Sequence, residues 1–489
     1  MCRVRNFCRV LTVWTGRVTI NILPDDVLLH IFLIDGYQHK DLHVGPYFKV
    51  EEDIDRLQLL SWSWHRLVHV CSRWRFIVFA SPNFLDLRLV CGPWTRMELT
   101  GIWPPFPIII TNHPYHAMPG DYDFDAAIVH PGRVREIRLF CLTRLQLQGL
   151  ASATRTQEQF PALIHLSLHS TGNSAVALPD GFLGGFAPRL QSLALDSIPF
   201  PGLPKLLLSA THLVHLGLYR ISHSGYFSPE AIITRLAMMP NLNSFFIGFQ
   251  SPLSRPHQEN RRPPPPIRTV LPTLTHFAFK GASEYLEDFI AQIDTPLLDS
   301  IYITFFHKLI FDIPELAQFM GRSTRFQKLK KAHLVLDDFD VTVETHPPTL
   351  FLYKRTGLQI SCRPLDWQLS SIAQVFTSFF PSIHMVEHLF VYELRHLPPR
   401  WHDDIENMQW LECFHPFTGV KNLYLPKKFV PSIAPALQEL IGRRMTEVLP
   451  ILQNIFLEGL QPSEPIEEGI QKFVAARQLS GHPITVFGW

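Results

Sequence analysis

The sequence predicts an α/β protein in which a short helical N-terminal module precedes an elongated array of strand-bearing repeats. Three observations carry that prediction. Apolar side chains follow helical spacing over residues 20–35 and again up to Pro82, and from Val134 onward a six-residue apolar pattern returns at bounded intervals. The chain has 489 residues, 46% of them apolar and 18% charged, enough to bury large cores, which excludes global disorder.

Charge excludes further classes. Lysine and arginine total 44 against 43 acids, so no basic surplus calls for nucleic acid and no acidic tail governs the chain. No window approaches the roughly 18 to 20 apolar residues that a membrane helix needs, so no membrane partner is expected. The seven cysteines (Cys2, Cys8, Cys71, Cys91, Cys141, Cys362, Cys413) lie far apart and form no Cys-x-x-Cys pair, and no Asn-x-Ser/Thr acceptor is present. Both features fit an intracellular protein, cytoplasmic and/or nuclear, with reduced thiols. The first 24 residues carry Arg3, Arg5, Arg9 and Arg17 and no acid, but no small-residue cleavage site follows the short apolar stretch. Residues 1–19 therefore read as a disordered leader.

The first helix is expected in INILPDDVLLHIFLID, residues 20–35. Pro24 sets φ for its first turn, and Asp25 and Asp26 place negative charge against the unpaired amides. Val27, Leu28, Ile31, Phe32 and Ile34 cover more than half of its circumference, so a second contact surface is implied. Gly36, Gly45 and Pro46, then Glu51, Glu52, Asp53 and Asp55, read as a loop. Helical spacing returns at Trp64, Leu67, Val68, Cys71, Trp74, Ile77 and Val78, ending at Pro82.

These residues resemble the F-box, the helical module by which Skp/cullin/F-box ubiquitin ligases attach a substrate receptor to their adaptor. The family pattern is Leu-Pro with an acid, Ile-Phe, and later Val-Cys-x-x-Trp before a basic residue; here it is Leu23, Pro24, Asp26, Ile31, Phe32, Val70, Cys71, Trp74 and Arg75. The resemblance implies a Skp-type adaptor, and through it a cullin, as partners, with Leu23, Pro24, Leu28, Ile31, Phe32, Val70, Cys71 and Trp74 as adaptor-binding residues. The two halves stand further apart than the usual module has them, so the match leaves the middle helix uncovered. A helical pair capping the next domain would use the same side chains.

Residues 83–130 read as a connector, with WPPFP at 103–107. Beyond it the hexamer apolar, two variable, apolar, one variable, apolar starts at Val134 (VREIRL), Leu163 (LIHLSL), Leu190 (LQSLAL), Leu213 (LVHLGL), Leu242 (LNSFFI), Leu274 (LTHFAF), Leu298 (LDSIYI), Val386 (VEHLFV), Val420 (VKNLYL) and Leu452 (LQNIFL). A degenerate copy starts at Leu329 (LKKAHL), and successive starts up to it lie 29, 27, 23, 29, 32, 24 and 31 residues apart. One strand followed by a helix or irregular return fits that length. The pattern resembles leucine-rich repeats of the irregular kind found behind F-boxes, which implies a horseshoe-shaped solenoid over residues 131–460 and a C-terminal tail over 461–489. A regular asparagine after each strand is missing, so uneven units are expected.

Between Leu329 and Val386 the interval is too long for one unit. Alternation at Val341/Val343 and Leu358/Ile360 predicts extra strands, a hairpin inserted near 337–362. RRPPPP at 261–266 reads as a stiff solvated loop or a ligand for a proline-reading module.

Alternate strand residues face opposite ways, so the variable positions of the hexamers line one surface. Its expected substrate-binding residues are His165, His169, His215, Tyr219, Phe246, His276, Lys280, Tyr302, Tyr392 and Tyr424, with Ser167, Asp196, Phe390 and Phe456 beside them. Aromatic and histidine tips with few charges suit a protein partner of unknown identity. HMVEH, His384 to His388, has the spacing of a zinc-protease motif, but on a strand its histidines would lie roughly 13 Å apart, too far to share a metal. Asp121, Asp123 and Asp125 lack the glycine and distal glutamate of a calcium loop. No nucleophile elbow, phosphate loop or dinucleotide fingerprint is present. The expectation is therefore a non-catalytic receptor without cofactor or metal, or alternatively a repeat scaffold with no ligase attachment.

Overall fold

The structure is a computed structural model that describes residues 22–37, 66–82, 84–85, 87–91, 106–111, 130–153, 159–171, 177–200, 204–251, 253–254, 267–306, 314–322, 330–336, 341–344, 357–362, 383–393, 407–442, 444, 446–460 and 466–488. The leader, the acidic run at 51–55, the aspartates at 121–125 and RRPPPP lie outside these residues. Two compact units divide the chain, Met1–Phe140 and Cys141–Trp489.

In the first unit, helix α1 (Asp25–Tyr37) starts directly after Pro24, whose carbonyl accepts from Leu28 N at 3.1 Å. Helix α2 (Ser72–Ala80) is shorter than the periodicity predicts. Cys71 takes extended backbone (φ −161°, ψ 171°), and its Sγ accepts from Trp74 N at 3.4 Å, so a new N-terminus forms there and residues 66–68 make a separate turn. Both pieces keep three- and four-residue spacing, which is why the sequence reads as one run. Strands β1 (Leu89–Cys91), β2 (Ile108–Thr111) and β3 (Val134–Leu142) pair in parallel, and the unit ends within β3. The first two lie in the stretch expected as a connector. Ile108, Ile109 and Ile110 are buried in succession, as in a strand covered on both faces, so no alternation marks them.

The second unit opens with helix α3 (Arg144–Ala153). Strands β4 (His165–Ser170), β5 (Ser192–Asp196), β6 (His215–Ile221), β7 (Ser244–Phe249), β8 (Thr269–Val270), β9 (His276–Gly281), β10 (Ile293–Asp294) and β11 (Ser300–Phe305) follow. The order β4-β5-β6-β7-β9-β11 is parallel throughout, while β8 and β10 pair with each other. Each long strand starts two residues into its hexamer. The first, fourth and sixth residues of all ten full hexamers are no more than 4% exposed, so the apolar letters build the core as their spacing requires.

Strands β12 (Lys331–Leu336), β13 (Val341–Glu344) and β14 (Gly357–Cys362) realise the degenerate copy and the two alternating segments. Their place in the sheet is not the chain order. β14 pairs in parallel with β11, β13 is antiparallel to both β14 and β12, and β12 pairs in parallel with β15 (His388–Glu393). Two reversals restore the original direction, so parallel pairing resumes through β15, β16 (Asn422–Leu425), β17 (Asn454–Leu457) and β18 (Thr485–Gly488). The expected tail thus supplies one more strand. Pro483 and Gly488 occupy the first and sixth places of its hexamer, which hides it from the apolar pattern.

Helices return the chain between strands. α4 (Pro229–Leu236) is capped by Ser228, whose Oγ accepts from Ala231 N at 3.3 Å. α5 (Ser283–Ile290) packs Phe289 against Phe245 and Phe277, with ring centroids 5.8 and 5.5 Å apart. The buried Glu287 of α5 accepts from Glu315 N and Leu316 N, at 3.0 and 2.9 Å, at the start of α6 (Pro314–Arg322). α7 (Asn407–Phe414), α8 (Val430–Glu439) and α9 (Glu468–Leu479) complete the series. Arg477 of α9, fully buried, donates through Nη2 to the carbonyls of Leu449, Pro450 and Leu452 at 3.3, 3.1 and 3.4 Å, tying this helix to the turn before β17.

Candidate protein-binding surfaces

In the first unit, α1 and α2 meet through Phe32 and Trp74, 4.6 Å between ring centroids. Arg73 holds the start of α1 by donating to Leu23 O at 2.6 Å and to Asp25 Oδ1 from Nε at 2.9 Å and Nη2 at 2.5 Å. Leu28 and Phe32, expected to touch an adaptor, are 0% and 3% exposed, and Phe32 serves the pair's own contact with Trp74. Val70 and Pro24 are exposed; Leu23, Ile31, Cys71 and Trp74 are half-buried. Among the described residues of this unit, the exposed large apolar side chains include Val70 at 57% exposure, Phe76 at 71% and Ile34 at 59%, with Ile22, Val27 and Phe84 also exposed. Phe76 and Ile22 were not singled out by the sequence. Trp74, Ile77 and Val78 follow an inward stripe, and the only signal for Phe76 is a large apolar residue off that stripe.

In the second unit, the register sorts the alternate strand residues, some of them buried, into rows. The row at the start of the strands reads His165, Ser192, His215, Ser244, His276, Ser300 from β4 to β11. Its histidines stand on alternate strands, about 10 Å apart by the usual strand spacing, which suits contact with a partner rather than a shared metal. Burial lowers the proton affinity of His215, with His276 adding to it, and burial likewise lowers that of His276.

The next row holds the rings. Tyr219 lies back across Gly217 and stacks on Phe246 at 4.1 Å, and Phe246 in turn covers Gly248. Tyr302 is half-buried and Lys280 lies 5.9 Å from the Phe306 ring. Towards the C-terminus, His333, Phe390, Tyr424, Phe456 and Phe487 share one register on five adjacent strands. Their successive centroid distances are 4.6, 4.0, 4.4 and 5.2 Å. Parallel strands about 4.8 Å apart match the stacking distance of aromatic rings, so in-register pairing makes the ladder. Tyr392 stacks beside Phe390 at 6.0 Å. Burial raises the phenol pKa of Tyr219, with Asp196 adding to it, and burial raises those of Tyr392 and Tyr424. Among the described residues, Asn454 Nδ2 donates to Asn422 Oδ1 at 2.7 Å, an asparagine rung between two strands.

A compact polar cluster joins three strands. Arg220 Nε donates to Asp196 Oδ1 at 2.6 Å, and its Nη2 lies 2.5 Å from His169 Nε2. The sequence marked His169 and Asp196 but not Arg220, whose outward direction depends on local backbone.

His384 sits in a short 3-10 turn and His388 opens β15, with Glu387 3.6 Å from Lys421. Among the described residues no three His, Cys, Asp or Glu side chains are grouped to hold a metal ion, and no helix is long and apolar enough to cross a membrane.

No family model matches the chain, and no curated protein matches it. Among solved structures it is similar to the leucine-rich repeat-containing protein LegL7 from Legionella pneumophila. That likeness has 14% identity, covers 75% of this chain and 97% of the other, and superposes with a TM-score of 0.27.

Proposed function

We propose that the chain is a substrate receptor of an SCF-type ubiquitin ligase: the helical pair holds a Skp-type adaptor, and through it a cullin, while the outward strand face of a leucine-rich-repeat solenoid holds a protein substrate. The observation that carries this reading is the exposure of three large apolar side chains, Val70 in the turn before α2, Phe76 on α2 and Ile34 on α1, within the segments that carry the F-box resemblance. A pair that only capped its own chain would turn such side chains inward. The receptor forms and breaks no bonds itself; it raises the concentration of a substrate beside a charged transferase, in the cytoplasm and/or nucleus. Neither nucleic acid, membrane nor cofactor enters this reading.

Co-expression of the full chain with a Skp-type adaptor tests it. A complex stable to size-exclusion chromatography is expected, weakened by Leu23→Ala with Pro24→Ala and abolished by Val70→Asp with Phe76→Asp, whose side chains are exposed and leave folding intact. Absence of any complex with the wild-type chain selects the alternative, a repeat scaffold without ligase attachment, which the long interval between the two helical segments favours.

A further inference from the structure

Arg220 owes its direction to an irregularity in β6. The register with β7 jumps from Leu218↔Ile247 to Ile221↔Phe249, so Tyr219 and Arg220 share the one place opposite Gly248. Arg220 takes the left-handed backbone there (φ 49°), and Ser197, which follows Asp196 at the end of β5, does the same (φ 54°). A bulge re-aims the side chain it carries. Here it turns the guanidinium over Asp196 and onto His169 of β4.

A guanidinium can only donate, so at 2.5 Å from Arg220 Nη2 the His169 Nε2 has to be the acceptor and unprotonated. The imidazole proton then sits on Nδ1, which is buried and meets no acceptor among the described residues. The same Nε2 stands 3.6 Å from Asp196 Oδ2. One nitrogen thus has a cationic donor on one side and a carboxylate on the other.

We propose that His169, Asp196 and Arg220 form a proton-operated latch on the strand face. With the imidazole neutral, Nε2 holds the end of Arg220. A proton taken from solvent onto Nε2 makes that contact repulsive and gives Asp196 Oδ2 a donor instead, so the guanidinium end is released while the cluster gains one positive charge.

The titratable and charged groups that face it are Asp196, its register partner on β5, and Arg220 on β6, with Tyr219 of β6 in register with Asp196. Burial lowers the proton affinity of His169 most; Asp196 opposes this and Arg220 adds to it. The latch is therefore closed at neutral pH and opens below the ordinary histidine value of about 6.5. It stands whether or not the face binds a ligase substrate.

Imidazole C2 hydrogen exchange, read peptide by peptide by mass spectrometry on the full chain across pH, tests the latch. The His169 midpoint is expected below the ordinary value, moving up in Arg220→Gln and further down in Asp196→Asn. No movement in either variant, or movement of both in the same direction, overturns the proposal. A second measurement uses His169→Gln, whose side-chain carbonyl accepts from Arg220 at every pH. Its melting temperature should fall less than that of the wild type between pH 7.5 and 5.5, and parallel declines overturn the proposal equally.

Discussion

Gly217 has no Cβ, and one placed there would lie 2.3 Å from Tyr219 Cε2. The Tyr219 ring can lie flat on the sheet and stack on Phe246 only because that space is empty. Gly217→Ala should therefore cost about 1–3 kcal/mol, measured by denaturant unfolding, and should cost little in a Tyr219→Ala background. Equal costs in both backgrounds would locate the strain elsewhere. Gly419 is tighter, since a Cβ there would meet the His384 carbonyl oxygen at 1.8 Å, and backbone cannot swing away as a ring can. Gly419→Ala should be the more damaging of the two by the same measurement. Both positions look ordinary in the sequence, because a close approach between residues 35 apart or across a ring leaves no local signature.

Among elements, the aromatic ladder joins neighbouring strands through stacked ring faces. Tyr424 lies between Phe390 at 4.0 Å and Phe456 at 4.4 Å. A double-mutant cycle between Phe390→Ala and Tyr424→Ala should give a coupling of about 0.5–1.5 kcal/mol; additive losses would make the rings mere surface. Glu287 joins two helices in a comparable way, its carboxylate receiving two amides at the start of α6. Glu287→Leu leaves those amides unsatisfied and should destabilise by about 2 kcal/mol or more, with Glu287→Gln retaining part of the contact. The strands of these elements were legible, since each apolar hexamer became a strand. The insertion was legible only as two strands, because alternation says that a segment is extended and not which neighbour it pairs with.

For the whole molecule, burial is the largest cause lowering the proton affinity of His169, His215, His276 and His388 alike. The unfolded chain then binds protons more readily than the folded one. The stability these groups contribute is fully present above the ordinary histidine value of about 6.5 and is lost as pH falls through their lowered folded values. The melting temperature should accordingly drop between pH 7.5 and 5.5, and replacing all four with glutamine should flatten that slope. A wild-type melting temperature that rises on acidification would contradict the sign.

The sequence by itself determined the positions of the strands that its apolar hexamers mark, the core residues behind them and the alternate residues between them, because in a parallel repeat these follow from spacing alone. It also marked α1. The tertiary structure decided the rest: that β13 and β14 enter between β11 and β12, that residues 485–488 add a last strand, that Leu28 is buried and Phe32 packs on Trp74 while Phe76 faces out, and that a bulge brings Arg220 to His169. Each of these depends on contacts between distant segments, whose energy is set by what packs against what and not by the order of neighbours along the chain.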